Sequence, residues 1–98
     1  MTVYKYSLEI SSRQSVRMPS DARILSIQAQ RGEPCIWALV DEREKCVHAH
    51  KIRMFGTGHP IPDIPMTFLG TFQVADRDFV FHVFEERDVT QARAEVEG

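Results

Sequence analysis

The chain lacks a surplus of positive charge. Twelve Lys and Arg residues stand against 14 Asp and Glu, the formal net charge is −2, and the sequence pI is about 6.0. Nucleic-acid binding without sequence preference usually depends on a dense Lys and Arg face, because affinity rises with the number of phosphates that are neutralised. The composition therefore argues against nucleic acid as a partner and leaves only a local basic strip to consider.

The chain also lacks segments for membrane insertion or export. No stretch approaches the ~18 consecutive apolar residues of a membrane helix, and the N-terminal residues contain neither the basic nor the apolar region of a signal peptide. We therefore expect a cytoplasmic protein without membrane contact. The two cysteines, Cys35 and Cys46, would then be reduced, and we expect buried, inert thiols rather than a disulfide across a hairpin.

Catalytic signatures are missing as well. The sequence contains no Gly-x-Ser-x-Gly elbow and no helical zinc motif. Ser, Cys, His and acidic residues are present, but no spacing sets a nucleophile beside a base. We therefore expect a protein that is not an enzyme and that carries no cofactor.

What is present suits one small β-rich domain. With 98 residues, 43% hydrophobic content and six Phe, the chain can bury one modest core, and dimerisation would add to its limited stability. Apolar and polar residues alternate with the period of half-buried strands. The predicted strands, about seven in number, cover residues 4–10, 16–18, 25–29, 35–40, 47–55, 66–74 and 79–84.

Successive strands joined by short turns favour antiparallel pairing. The sequence therefore predicts an all-β fold, a compact antiparallel β-sandwich or small barrel. An open sheet edge would favour a homodimer. We assign residues 1–86 to the domain and residues 87–98 to a polar tail or a short helix, in which Asp88 would cap a helix reaching Ala94. Such a helix would make the fold class α+β.

Two predicted strands and one turn have further features. Residues 35–40 are apolar at every position, which is typical of a central strand covered on both sides. Residues 75–78 are predicted to form a tight turn. In residues 66–74 the interior Gly70 indicates a bulge or a close backbone approach. The apolar side chains of that strand are predicted to share one face: Met66, Phe68, Phe72 and Val74.

Residues 56–62 are the best candidate for a functional site. Gly56, Thr57, Gly58 and His59 are followed by a Pro-Ile-Pro segment, so Gly permits positive φ and Pro restricts it. Successive backbone N–H groups in such a turn can form an anion-binding nest, and the Thr hydroxyl can add to it. The alternative is a purely structural loop that crosses between two strands.

Aromatic and basic residues elsewhere can extend this site or form another. Trp37 and His82 are possible neighbours of the loop in a surface that binds a partner or a ligand. Lys51 and Arg53 can form a basic sheet face. Further contributions to that face would come from Lys5 or Arg17, and stacking surfaces from Trp37, Tyr4 and Tyr6. The alternative is a solvated strand face and a core built around the Trp.

A metal site is a further alternative. The alternation of a strand places Cys46, His48 and His50 on one face, and a His-x-His pair with a thiolate can ligate zinc. A fourth ligand would have to come from elsewhere, and no second Cys/His pair stands at zinc-finger spacing. Ordinary strand histidines explain the same pattern, and we assign no metal.

Several segments together resemble a known family. They are ILSIQ at 24–28, GEPCIWALVD at 32–41, GTGHPIP at 56–62, and GTF at 70–72 followed by FVFHVFE at 79–85. Over residues 3–86 this order is similar to a family of short phage and prophage proteins known only as a domain of unknown function.

The resemblance implies an accessory protein of a bacteriophage or prophage that acts in the bacterial cytoplasm. We expect a non-enzymatic protein that binds and counters a host protein or complex, such as a defence component. The alternatives are a sponge for a nucleotide or another small ligand, and a metal-dependent enzyme that uses Cys46, His48 and His50.

Overall fold

The computed structural model describes residues 1–74 and 79–87, which form seven strands in two sheets. The strands are β1 (Thr2–Ser7), β2 (Arg13–Pro19), β3 (Arg23–Gln30), β4 (Glu33–Val40), β5 (Val47–Gly56), β6 (Met66–Gln73) and β7 (Val80–Glu86). The first sheet has the order β1-β4-β3, the second has the order β2-β5-β7-β6, and every pairing is antiparallel.

This arrangement confirms the predicted all-β fold and fits a small β-sandwich. The predicted turn at residues 75–78 and the predicted helix from Asp88 to Ala94 lie outside the described residues. Within the part that is described, no helix has the length and apolar character needed to cross a membrane.

The core lies between the inner faces of the two sheets, which are the faces directed at each other. β4 occupies the middle of the first sheet, as predicted, but the prediction that it is covered on both sides is wrong, because only its inner face packs against the second sheet. Its alternate residues Ile36, Ala38 and Val40 are fully buried, whereas Trp37 and Leu39 on the outer face are only half-buried. The second sheet supplies the opposing apolar side chains Met18, Ile52, Met54, Phe72 and Val83.

A bulge in β6 overturns one prediction. Phe68 pairs with Phe84 and Gly70 pairs with Val83, so Leu69 is an extra residue without a partner. Paired residues share a face of a sheet, and Phe84 and Val83 are consecutive. Phe68 therefore lies on the outer face and is 57% exposed, not in the core.

The same bulge separates the residues that were predicted to share one face. Met66, which precedes the bulge, pairs with Glu86 on the outer face, whereas Phe72 is buried and Val74 packs against the core. The prediction for Gly70 is confirmed, because a Cβ atom there would lie 3.1 Å from the Cβ of Ile27 in β3. β6 and β3 thus approach closely where the edges of the two sheets meet.

The thiols and the sheet edges bear on two further predictions. Cys35 and Cys46 are both free, and Cys35 is buried as expected. The expectation of a buried thiol is wrong for Cys46, which is exposed because it precedes β5 and lies outside the ladder. The homodimer was predicted from an open sheet edge. β1 is an edge strand of the first sheet, but an edge strand alone does not show pairing with a second copy, so the homodimer stays a prediction.

Candidate functional site

The loop at residues 56–62 belongs to a long connection between two parallel strands. β5 and β6 flank β7 and are both antiparallel to it, so they run in the same direction. Residues 57–65 must therefore carry the chain along the whole length of β7. The connection begins with the N–H of Thr57 donating to the Val80 carbonyl at 3.3 Å, and it ends with the N–H of Arg87 donating to the Pro65 carbonyl at 3.0 Å.

The two glycines have different roles at the start of the connection. Gly58 has a φ of +85°, a conformation that a residue with a Cβ rarely adopts. A Cβ atom on Gly56 would lie 3.1 Å from the ring of His59, so the imidazole packs directly over that glycine. The N–H of His59 also donates to the Gly56 carbonyl at 3.1 Å. The Gly-Thr-Gly-His segment is therefore a tight turn with a defined shape.

His82 links this turn to two strands. The Thr57 Oγ1 lies 2.8 Å from His82 Nε2, and the Thr71 Oγ1 lies 3.0 Å from His82 Nδ1. A neutral imidazole donates through one nitrogen and accepts through the other, and a hydroxyl can take either role. Both tautomers therefore hold the connection, β6 and β7 together. Of the predicted site residues, Thr57 and His82 are brought into direct contact.

The same contacts argue against an anion-binding nest in the loop. A nest uses successive backbone N–H groups that point at one ligand. The N–H groups of Thr57 and His59 are already donors to backbone carbonyls, and the Thr57 hydroxyl is engaged with His82. Only the Gly58 N–H remains between them, so the turn does not present the donor set of a nest.

Trp37 is not brought to the loop. It lies on the outer face of the first sheet, paired with Lys5 in β1 and with Ser26 in β3. His82 lies on the outer face of the second sheet. The two outer faces of a sandwich point away from each other, so Trp37 and His82 do not form one site. The Trp37 Nε1 is buried and has no hydrogen-bond partner in the part of the chain that the structure describes.

The basic residues are divided between the two outer faces. Lys5 lies beside Trp37, whereas Arg17, Lys51 and Arg53 belong to the outer face of the second sheet. The predicted combination of these cations with Trp37, Tyr4 and Tyr6 is therefore not assembled. Tyr4 and Tyr6 alternate with Lys5 and point to the inner side, where Tyr6 packs against the core.

Sequence reasoning missed one member of the basic group on the second sheet. Arg13 stands directly opposite Arg53, in the same ladder that places Ser15 opposite Lys51 and Arg17 opposite Ala49. The period-two alternation of β2 could have placed Arg13 on the same face as Arg17. The residues that lie beside Arg13, however, are decided by the pairing of β2 with β5. A pocket of about 180 Å³ lies here, lined by Arg13, Gln14, Ser15, Lys51, Ile52 and Glu86.

An aromatic cluster adjoins these cations on the same outer face, and sequence reasoning did not predict it. The Arg53 guanidinium lies 5.3 Å from the centre of the Phe55 ring. The Phe84 ring makes edge contacts with Phe55 at 5.8 Å and with Phe68 at 5.3 Å, measured between centroids. Because of the bulge in β6, the Phe68 side chain lies on the outer face and joins this cluster.

The histidines of β5 are arranged differently from the metal alternative. His50 Nδ1 lies 2.6 Å from the Glu85 carboxylate, and the two side chains are only 12% and 26% exposed. The His48 ring lies 6.4 Å from the His50 ring, and Cys46 precedes the strand. Within residues 1–74 and 79–87, no three His, Cys, Asp or Glu side chains form a group that could hold a metal ion.

The molecule is thus a small antiparallel β-sandwich whose second sheet carries the hydrogen-bonded histidines, the group of cations and the aromatic cluster. The chain belongs to the family described as Domain of unknown function (DUF7352), whose model matches residues 1–94. No curated protein and no solved structure shows a significant match to the chain. The family match confirms the predicted membership of a family of unknown function, and it extends beyond residues 3–86.

Proposed function

We propose that the protein is a non-enzymatic accessory protein of a phage or prophage. It acts in the bacterial cytoplasm, where it binds a host protein and counters it, a defence component being the foremost candidate. The connection between β5 and β6 is the proposed contact surface. The phage origin comes from the sequence resemblance, and the contact surface comes from the geometry of residues 57–65.

The observation that carries the contact surface is an ordered connection with exposed apolar side chains. Ile61 is 48% exposed and Ile64 is 39% exposed. Phe79, also exposed, precedes Val80, whose carbonyl accepts from the start of the connection. Apolar groups held in place before binding lose little conformational entropy when a partner covers them, and exposed apolar patches commonly mark protein-binding sites.

The His82 contacts favour binding over catalysis. A hydroxyl nucleophile needs a base that is itself oriented by a third group. Here the groups on both sides of the imidazole are threonine hydroxyls, and the two tautomers satisfy them equally. His82 therefore serves to hold the connection in place, and this supports a contact surface with a fixed shape.

The test is affinity capture from a bacterial host lysate, read by mass spectrometry. We expect one host complex in stoichiometric amount with the wild-type chain, and its loss with Ile61→Ser/Ile64→Ser. The matched control is Val3→Ser/Leu25→Ser, which removes the same kind of exposed apolar surface from the first sheet. A second loop variant, Thr57→Ala/His59→Ala, should also weaken capture.

Two results would contradict the proposal. Full capture by both loop variants would remove the connection from the contact surface. Equal loss in the first-sheet control would mean that capture follows general surface hydrophobicity.

A further inference from the structure

Four cations form a continuous group on the outer face of β2 and β5. We call it the cationic strip and define it as Arg13, Arg17, Lys51 and Arg53. Arg13, Arg17 and Lys51 are exposed, and none of them makes an ion pair with any described residue. Arg53 contacts Glu86 at 3.6 Å. The strip thus holds a local positive surplus in a chain whose formal net charge is −2.

Protection of a sheet edge accounts for only part of the cationic strip. Charged side chains on an edge strand discourage unwanted pairing with other chains, and this applies to Arg13 and Arg17 in β2. It does not apply to Lys51 and Arg53, because β5 is an interior strand. Arg13 and Arg53 are also directly opposite each other, and like charges in that position destabilise a ladder. An anionic ligand would remove this repulsion.

The spacing of the strip fits an extended anion. Successive rows on one face of a strand lie about 6.7 Å apart. The three rows, which contain Arg17, then Lys51, then Arg13 with Arg53, therefore extend over about 13 Å. One phosphate cannot contact all three rows, whereas a chain of phosphates can follow them. The pocket beside Lys51 and Arg13 has the volume for one such group, next to the Glu86 carboxylate that pairs with Arg53.

The last row of the strip continues into aromatic side chains. Arg53 pairs with Phe84, and Phe84 pairs with Phe68. The Phe68 ring is more than half exposed on the same face as the cations. A positively charged track beside an open aromatic ring is the combination that proteins use for single-stranded nucleic acids, because the cations follow the backbone and the ring stacks on an unpaired base.

We propose that the cationic strip binds the phosphate backbone of a single-stranded nucleic acid, with Phe68 stacking on a base. This activity goes beyond the proposed contact with a host protein and uses a different surface. The composition argued against it because the whole chain is slightly acidic. The fold changes that expectation by collecting four of the 12 Lys and Arg residues on one sheet face.

The test uses a fluorescently labelled oligothymidylate and fluorescence anisotropy over a range of salt concentrations. Three free cations predict a slope of about −2 for log K against log salt, so affinity should fall roughly twenty-fold between about 50 mM and about 200 mM salt. The triple variant Arg13→Gln/Arg17→Gln/Lys51→Gln should lose binding and slope together. The control Lys5→Gln/Arg23→Gln/Arg31→Gln changes the net charge equally at positions outside the second sheet, and it should bind like the wild type.

Three further measurements decide the assignment. Phe68→Ala should weaken binding without changing the salt slope, because stacking releases no counterions. Ile61→Ser/Ile64→Ser should bind the oligonucleotide normally, which separates this proposal from the one on the host partner. Displacement of the oligonucleotide by thymidine monophosphate at equal phosphate concentration would show a single-phosphate ligand and overturn the strand assignment. No binding by the wild type, or equal loss in the charge control, would overturn the proposal as a whole, provided that all variants melt as folded proteins.

Discussion

The two sheets of this sandwich differ in what their side chains do. The first sheet contributes Ile36, Ala38 and Val40, all without solvent exposure, and its outer face has few polar contacts beyond that of Lys5 with Gln30 at 2.7 Å. The second sheet contributes as much to the core, but it also carries the linked polar groups. These are His50 with Glu85, His82 with two threonines, and Arg53 with Glu86.

The difference separates the side chains that stabilise the fold from those on which the nucleic-acid proposal rests. Both sheets contribute apolar side chains to the core between their inner faces, and the burial of this apolar surface stabilises the fold. The outer face of the second sheet is free to hold charged and aromatic groups, because β5 and β7 are covered on their other face by the first sheet. We therefore expect core substitutions in either sheet to affect stability, and outer-face substitutions in the second sheet to affect binding.

The largest expected effect is in the first sheet. Ile36→Ala should lower the free energy of unfolding by about 2–5 kcal/mol, because it removes a fully buried side chain from the centre of the core. Leu25→Ala, at a position that is half exposed, is the control and should cost far less. Chemical denaturation measures both, and equal losses would mean that the first sheet does not form the core described above.

The next largest effect is at the junction of the sheets. Gly70→Val should cost about 1–3 kcal/mol, because even its Cβ would lie 3.1 Å from the Ile27 side chain. Ile27→Ala keeps the Cβ atom but removes the Cγ1 atom that would lie 3.3 Å from the new Cβ, which makes room for the methyl groups of the valine. The double variant should therefore lose less stability than the sum of the single variants. Strict additivity in this double-mutant cycle would contradict the close contact between β3 and β6.

A smaller effect is expected for the polar pair on β5 and β7. Glu85→Ala should cost about 0.5–1.5 kcal/mol, because it removes the hydrogen bond of His50 Nδ1 at a site that solvent still reaches in part. Glu85→Gln retains a carbonyl acceptor and should lose less. Thermal or chemical denaturation compares the two variants. If both lost the same stability, the hydrogen bond would not be the source of the effect.

The smallest effect concerns the dependence of stability on pH. Hydrogen bonds from Thr2 and from the Tyr4 hydroxyl hold the pKa of Glu42 below its ordinary value. A carboxyl with a lowered pKa in the folded state stabilises the fold above its unfolded pKa, and this contribution is lost as the pH falls through the folded pKa.

The corresponding experiment compares Glu42→Gln with the wild type across the acid range. The variant should show a slightly weaker loss of stability on acidification, and the effect is small because the carboxylate is fully exposed to solvent. Glu33→Gln, in the β3–β4 hairpin, removes a carboxylate without such hydrogen bonds and is the control. An identical acid profile for wild type and Glu42→Gln would contradict the assignment.

Much of the fold was predictable because burial in a strand repeats every two residues. The uniformly apolar segment at residues 35–40 indicated the central strand β4, and the interior glycine at position 70 indicated the bulge. The contact of Thr57 with His82 agreed with the expected neighbourhood of the loop. The outward position of Phe68 was missed, because one unpaired residue reverses the faces of every position on one side of a bulge.

Such local patterns could not predict the cationic strip, nor that Trp37 and the aromatic cluster lie on different sheets. Arg13 and Arg53 are 40 positions apart, and they face each other only through the register of β2 with β5. Trp37 and His82 both alternate normally in their strands, yet they belong to opposite outer faces.

The amino-acid pattern thus determined the strands, the buried side of each strand as far as a bulge, and the tight Gly-Pro turn, because these depend on neighbours within a few residues. Strand order and register were decided by the packing of the complete core, whose free energy is a property of the whole chain. The neighbours on the outer face of the second sheet follow from that order and register.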